Sequence, residues 1–120
     1  TSFAYTATLT GFSANPATIY TSYSLVGGVC TVSIRMNSNG TSDSTSMTVS
    51  APIASGALTN QNHRGVGSGV DNGVALTGAS MVIISAASSS ILCFKDMSGG
   101  SSAWTASGGK SISAQFQYPI

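Results

Sequence analysis

The chain has 120 residues and a mass of 12.0 kDa, and 42% of its residues are hydrophobic, which is enough for one buried core. Only 6% of the residues are charged and the formal net charge is +1, whereas charged residues make up about 25% of an ordinary domain. The four cations are widely spaced, so the cluster that binds nucleic-acid phosphates is missing and we expect no nucleic-acid partner. No apolar run reaches the length of a membrane span, and we expect no membrane insertion.

Apolar residues alternate with polar or small residues along most of the chain, which is the period of a β-strand. A nearly continuous apolar run at residues 80–86 predicts a strand that is buried on both faces. No window has the period of a helix. The alternation predicts further strands at residues 3–9, 19–25, 30–36, 47–53, 91–95 and 112–118. We therefore predict an all-β chain that forms a single antiparallel β-sandwich or jelly-roll-like domain over residues 1–120.

Glycine and asparagine mark the predicted turns. Gly27-Gly28 separates two alternating runs and predicts a β-hairpin. Asn39-Gly40 predicts a second tight turn, and residues 98–102 predict a third. Residues 54–78 are rich in glycine and lack a clean period, apart from a short strand within residues 70–76. We expect this segment to be a long exposed loop of the kind that carries function.

The sequence contains few groups that perform catalysis. It has one histidine, His63, and three carboxylates, Asp43, Asp71 and Asp96. Each aspartate lies in a turn rich in Ser or Gly, where an aspartate usually caps its own backbone. No GxSxG motif is present. We expect that the chain is not an enzyme, has no catalytic residue and binds no cofactor.

The two cysteines, Cys30 and Cys93, fall on positions that alternate toward the interior of their strands. Neither lies in a CxxC or Cys/His pattern, so we expect no metal site. The favoured interpretation is a pair of buried free thiols. A disulfide stays open as an alternative, because the required geometry cannot be read from a sequence.

The densest group of long polar side chains lies in the predicted loop, at residues 62–64. These side chains belong either to a solvated loop tip or to a site where Asn and Arg bind sugar hydroxyl groups. The lone tryptophan either packs in a core or interface or offers its indole ring to a sugar. A polar pair at residues 95–96 is a further candidate if its turn lies at the same end. The candidate ligand-binding residues are therefore Asn62, His63, Arg64, Trp104, Lys95 and Asp96.

Four short stretches resemble the C-terminal domains of bacteriophage tail fibres and related virion tail proteins. They are YSLVG at residues 23–27, CTVSIRM at 30–36, NGTS at 39–42 and VSAPI at 49–53. The opening LTGF and the closing aromatic strand are also similar. The resemblance covers most of the chain outside residues 54–78.

This resemblance implies a trimeric β-sandwich or jelly-roll head, placed at the tip of a virion tail fibre and acting outside the cell. Such a head recognises a bacterial cell-surface glycan or an outer-membrane receptor. We accordingly expect a homotrimer and the C-terminal piece of a longer fibre chain. No binding residue is carried over, because these heads vary most where they bind. Two alternatives stay open: a structural or trimerisation domain of a virion, and a secreted bacterial carbohydrate-binding or adhesin module.

Overall fold

The computed structural model describes residues 1–57, 62–98 and 103–120. Within these ranges every regular element is a β-strand and every strand pairing is antiparallel, which confirms the all-β prediction. The strands are β1 Phe3–Ala4, β2 Leu9–Thr10, β3 Phe12–Ala14, β4 Ile19–Val26, β5 Val29–Met36, β6 Gly40–Ser42, β7 Met47–Ser50, β8 His63–Asp71, β9 Val74–Ala75, β10 Ser80–Ile84, β11 Ser90–Phe94 and β12 Gly109–Pro119.

Nine strands form one continuous path in the order β1-β4-β5-β12-β8-β10-β11-β7-β2, and β3, β6 and β9 branch from it. The sheet curls, so that side chains of distant strands share one core and the fold is sandwich-like. Burial of each large apolar side chain contributes about 1.5–3 kcal/mol. The core residues are Cys30, Val32, Ile34, Met36, Met47, Val49, Val82, Ile84, Ile91, Cys93, Trp104, Ile112, Ala114, Phe116 and Tyr118.

The hairpin predicted around Gly27 and Gly28 is confirmed, because β4 and β5 pair on both sides of these two residues. Both glycines have positive φ, as the two central residues of a type I′ hairpin turn require. The turn predicted at Asn39-Gly40 is wrong. Gly40 begins β6, where an added Cβ would lie 2.6 Å from the Phe12 ring, so this glycine serves close packing.

The N-terminal strand predicted at residues 3–9 is also wrong in its extent, because the segment divides into β1 and β2. Strand β1 pairs with β4 at one edge of the sheet, and β2 pairs with β7 at the other. Between them, the Tyr5 amide donates to the Thr21 carbonyl, and its hydroxyl donates to the Ser50 carbonyl at 3.0 Å. Residues 3–10 therefore connect the two edges of the curled sheet.

The prediction that residues 54–78 form a long loop is wrong, because the segment contains the long strand β8. Residues 58–61 lie outside the described ranges, but β8 is nine residues long and pairs with β12 on one side and β10 on the other. Its inward positions alternate as Gly65, Gly67 and Gly69, and an added Cβ at any of them would meet atoms of β12 at 2.6 Å or less. Atoms of β12 fill the space where side chains at these positions would lie, so only glycine fits there. Because the inward positions are glycines and not apolar residues, the sequence of β8 shows no alternation of apolar and polar residues.

The turn predicted at residues 98–102 falls mainly on residues 99–102, which lie outside the described ranges. The remaining predicted strands are confirmed with shifted ends. The strand predicted at residues 47–53 ends at Ser50, and the short strand expected within residues 70–76 is β9, which follows a tight Asn72-Gly73 turn with positive φ at both residues. Strand β10 is buried at every position, as its apolar sequence predicted.

Candidate functional site: the polar outer face

Four adjacent strands, β4, β5, β12 and β8, present a mainly polar surface on the side opposite the core. Burial alternates along β5 and along β12 from Ile112 onward, because inward residues join the core and outward residues lie on the opposite face. We name this surface the polar outer face. It consists of Tyr20, Ser22, Ser24, Thr31, Ser33, Arg35, Arg64, Val66, Ser68, Ser113, Gln115 and Gln117.

The strand register arranges these side chains in rows, since directly opposed residues of an antiparallel pair lie on the same face. Hydroxyl and amide groups make up most of each row, and each such group both donates and accepts hydrogen bonds. Two rows cross all four strands: the first is Tyr20, Arg35, Ser113 and Ser68, and the second is Ser22, Ser33, Gln115 and Val66.

Tyr20 and Arg35 form the most exposed corner of this face. The Tyr20 side chain is 59% exposed and lies directly across from Arg35. The Nε of Arg35 donates to Oδ1 of Asn37 at 3.1 Å, which restricts the orientation of the guanidinium group. Among the described residues, no carboxylate lies within ion-pair distance of Arg35. Sequence reasoning missed this corner, although the alternation of β5 already placed Arg35 on an outward position.

The predicted site residues Asn62, His63 and Arg64 point in different directions, because the strand β8 begins at His63. Asn62 is exposed and precedes the strand. His63 lies on the inward side, is half-buried and pairs with Ile84, whereas Arg64 is exposed on the outward side. The three side chains do not lie together at a loop tip, because His63 and Arg64 belong to β8 and successive residues of a strand point to opposite faces. Arg64 belongs to the polar outer face.

Trp104 is buried, with 2% of its surface exposed. Its indole Nε1 donates to the Cys93 carbonyl at 3.0 Å, and its backbone amide donates to the Thr45 carbonyl. The interpretation of Trp104 as an exposed sugar-stacking platform is wrong, because neither face of a buried ring is available at the surface. The alternative of core packing is confirmed.

Lys95 and Asp71 form an ion pair, with 3.4 Å between Nζ and Oδ2. Asp71 also accepts hydrogen bonds from the backbone amide and the hydroxyl of Thr105, each at 2.9 Å. Burial alone would raise the pKa of Asp71, but these hydrogen bonds and the Lys95 charge lower it below its usual value. Asp71 thus binds a segment 34 residues away instead of capping its own turn. The predicted backbone cap is present at Asp96, which accepts from the amide and hydroxyl of Ser98.

Lys110 is a fully buried cation near the start of β12. Its Nζ donates to the carbonyls of Ser44 and Ser46, each at 3.2 Å, and lies 5.0 Å from the centre of the Phe12 ring. Burial lowers the pKa of Lys110. The ammonium group thus makes hydrogen bonds to two carbonyl groups and a cation–π contact with a ring. Because both carbonyl groups belong to the loop before β7, Lys110 holds that loop in place.

A shallow apolar depression of about 320 Å³ lies beside β7 and β11. Among the described residues that line it, Cys93 alone carries a titratable group, and burial raises the pKa of that thiol to about 12, which keeps it protonated and unreactive. Cys30 and Cys93 are both buried and free, which confirms the favoured interpretation. The depression is lined by Thr45, Ser46, Met47, Thr48, Leu92, Cys93, Phe94 and Ala103.

Within the described ranges, no three His, Cys, Asp or Glu side chains are grouped as metal ligands would be. Over the same residues, no helix has the length and hydropathy that crossing a membrane requires. Comparison of the chain with protein-family models, with curated proteins and with solved structures gives no match.

Proposed function

We propose that this chain is a non-catalytic binding module that recognises a bacterial surface glycan through the polar outer face, as a receptor-binding head at a phage tail-fibre tip. The observation that carries the proposal is the composition of that face, which is rich in hydroxyl and amide groups and includes an exposed tyrosine. The virion setting rests on the sequence resemblance alone.

The chemistry of the face suits a sugar. Hydroxyl and amide side chains match the hydrogen-bonding groups of a glycan in both directions, as donors and as acceptors. The ring of Tyr20 provides an apolar surface against which the face of a sugar ring packs. All these side chains extend from paired strands, so their positions are set by a rigid scaffold before the ligand arrives.

The state of the titratable groups favours binding over catalysis. Asp71 is held by Thr105 and Lys95, and the Lys110 ammonium is enclosed by carbonyl groups and a ring. These groups are therefore occupied in the fold and are not positioned as an acid–base pair around a cleft. The expectation that the chain is not an enzyme stays a prediction.

The proposal includes a homotrimer. A chain with so few charges leaves neutral and apolar surface in water, and side chains such as Val26 and Val74 are 76% and 68% exposed. Association around a threefold axis would cover part of that surface. Light scattering at micromolar concentration should give about three times the chain mass, and a monomer at that concentration would contradict this part of the proposal.

Binding of the protein to a panel of bacterial surface polysaccharides tests the glycan-binding function. Tyr20→Ala and Gln115→Ala should each weaken the binding that the parent protein shows, with unchanged thermal melting. Met97→Ala is the matched control, because Met97 is 51% exposed but lies outside the polar outer face. Equal loss of binding in the control, or full binding in both face variants, would refute the assignment to this face.

A structural role in a virion is the second candidate, and a different surface favours it. Leu92, 36% exposed, and Phe94 border the apolar depression beside β7 and β11. Apolar surface of this kind suits contact with another subunit. A protein that forms trimers but binds neither glycans nor bacterial cells would favour this second function.

A further inference from the structure

Both arginines of the molecule lie exposed on the polar outer face. Of the four cations, Lys95 pairs with Asp71 and Lys110 is fully buried. The remaining two, Arg35 and Arg64, are both exposed on outward positions of the same sheet. The fold thus brings together on one surface two charges that are far apart in the sequence.

In the described part of the chain, the one ion pair joins Lys95 and Asp71, so neither arginine is paired with a carboxylate there. Asp71 is nearly buried and faces inward at the end of β8, with its oxygens bound to Thr105 and Lys95. The other aspartates, Asp43 and Asp96, lie in the segments after β6 and β11. The outward positions of β4, β5, β12 and β8 carry no acidic residue. A face with two cations and no anion is complementary to a negatively charged ligand.

The strand register sets the distance between Arg35 and Arg64. Arg35 shares a row with Ser68 of β8, and Arg64 lies four residues before Ser68 on the same strand. Two strand spacings and four residues of rise give a separation of about 17 Å between the two Cα atoms on a flat sheet. Serine and glutamine side chains occupy the surface between them, including Ser113 and Gln115.

We propose that the polar outer face binds an acidic glycan, whose sugars carry carboxylate groups, with Arg35 and Arg64 each binding one carboxylate. Tyr20 packs against the sugar next to Arg35, and the neutral side chains between the arginines bind hydroxyl groups of the intervening sugars. This inference rests on the proposed function, because it names the chemical class of the glycan that the same face recognises.

The chemistry of the two side chains favours carboxylate groups over a nucleic-acid backbone. A planar guanidinium group binds a carboxylate through two parallel hydrogen bonds, and the contact of Arg35 with Asn37 holds that group in position. Tight binding of a nucleic acid instead draws on six or more phosphate contacts. Two separated arginines with hydroxyl groups between them are complementary to a polysaccharide in which neutral sugars alternate with charged sugars.

The test uses immobilised acidic polysaccharides, each paired with its own methyl ester as a neutral form. The set includes polygalacturonate, alginate, hyaluronate and polysialic acid. The intact protein should bind at least one acidic form about a hundredfold more tightly than its ester, since each of the two charge-assisted contacts contributes about tenfold. Arg35→Gln and Arg64→Gln should each lower that preference about tenfold, and the double variant should abolish it. Lys95→Gln, which removes the same charge outside the face, is the control and should keep the preference.

The outcomes separate the inference from the proposed function. Equal binding of acid and ester, with both lost in Tyr20→Ala, would overturn the acidic ligand while leaving glycan recognition intact. Absence of binding to every acidic, esterified and neutral glycan would overturn both. Binding of single-stranded DNA as tightly as the best acidic glycan, lost in either arginine variant, would overturn the inference by showing general attraction of anions.

Discussion

Polar side chains that the fold buries have partners throughout the described residues, and no buried side-chain nitrogen or oxygen there lacks a hydrogen bond. The hydroxyl of Tyr118 donates to the Ile53 carbonyl at 2.6 Å, and the Trp104 indole donates to the Cys93 carbonyl. A buried group that loses its partner costs about 1–3 kcal/mol. These bonds join strands to connecting segments, so single residues decide where the irregular parts of the chain lie.

Asp71→Asn is expected to lower the free energy of unfolding by about 1–3 kcal/mol at pH 7, because the charged hydrogen bonds to Thr105 and Lys95 are weakened. Since the pKa of Asp71 is lowered in the folded state, its stabilising contribution is present above pH of about 4 and is lost as the pH falls through the lowered pKa. Urea unfolding at a series of pH values should show the difference from the parent protein shrinking toward acid. Asp43→Asn, an exposed aspartate, is the control. A difference that stays constant to low pH would contradict the linkage.

Cys30→Ser is expected to cost about 1–3 kcal/mol, because the thiol is fully buried and the added hydroxyl needs a hydrogen bond. Cys30→Ala and Cys30→Val should cost less, since they add no polar group. Chemical denaturation ranks the three variants, and thiol labelling of the native protein should be slow. Equal stability of all three, together with fast labelling, would show that Cys30 is accessible.

At the scale of elements, strand β8 depends on its neighbours more than on its own sequence. Three of its inward residues are glycines, so the strand contributes backbone to the core and receives the side chains of Phe116 and Ala114 in return. Glycine has low intrinsic preference for strands. Pairing with both β12 and β10 overrides that preference.

Gly67→Ala is expected to destabilise the protein by about 2 kcal/mol or more, because the new Cβ would lie 2.3 Å from the Ser113 carbonyl and 2.8 Å from the Ala114 Cβ. Gly78→Ala is the matched control, since no atom lies within 4 Å of its added Cβ. Thermal melting compares the two variants. A Gly67→Ala protein as stable as the control would mean that β8 and β12 do not pack this closely.

At the scale of the whole molecule, the curled sheet is held together by the segment that carries β1 and β2. The segment crosses from β4 to β7, and Tyr5 at its centre packs against the core while its hydroxyl binds Ser50. Such long-range contacts close the arrangement of strands, so loss of this segment affects both edges of the sheet together.

Tyr5→Phe is expected to lower the free energy of unfolding by about 0.5–1.5 kcal/mol at pH 7 through loss of the bond to Ser50. Burial raises the pKa of Tyr5 to about 12, so the folded state keeps the phenol proton to a higher pH than the unfolded state does. The parent protein therefore loses stability as the pH rises from about 10 toward 12. Urea unfolding at neutral and alkaline pH should show the gap between Tyr5→Phe and the parent narrowing. Tyr20→Phe, which removes a hydroxyl group from an exposed ring, is the matched control variant.

Only part of the candidate site could be predicted from the alternation of residues in the sequence. The alternation of β5 and β12 placed Arg35 and Gln115 on outward positions, but pattern alone did not reveal which strands lie side by side. Neighbouring strands here are distant in sequence, so only the pairing of β12 with β5 and β8 assembles the face. For Trp104 the sequence favoured packing in a core or interface over an exposed ring, and only the structure shows that the ring is buried in the core.

The sequence by itself determined the strand content, the hairpin at Gly27-Gly28, the buried character of β10 and the inward positions of both cysteines. These features depend on the alternation of apolar and polar residues and on the residues of the turns, and both are properties of residues close together in the sequence. Tertiary structure alone decided that a glycine-rich segment is a central strand and that residues 3–10 join two edges of one sheet. Those outcomes depend on contacts between residues far apart in the chain, where side chains of one strand fill space that another leaves empty.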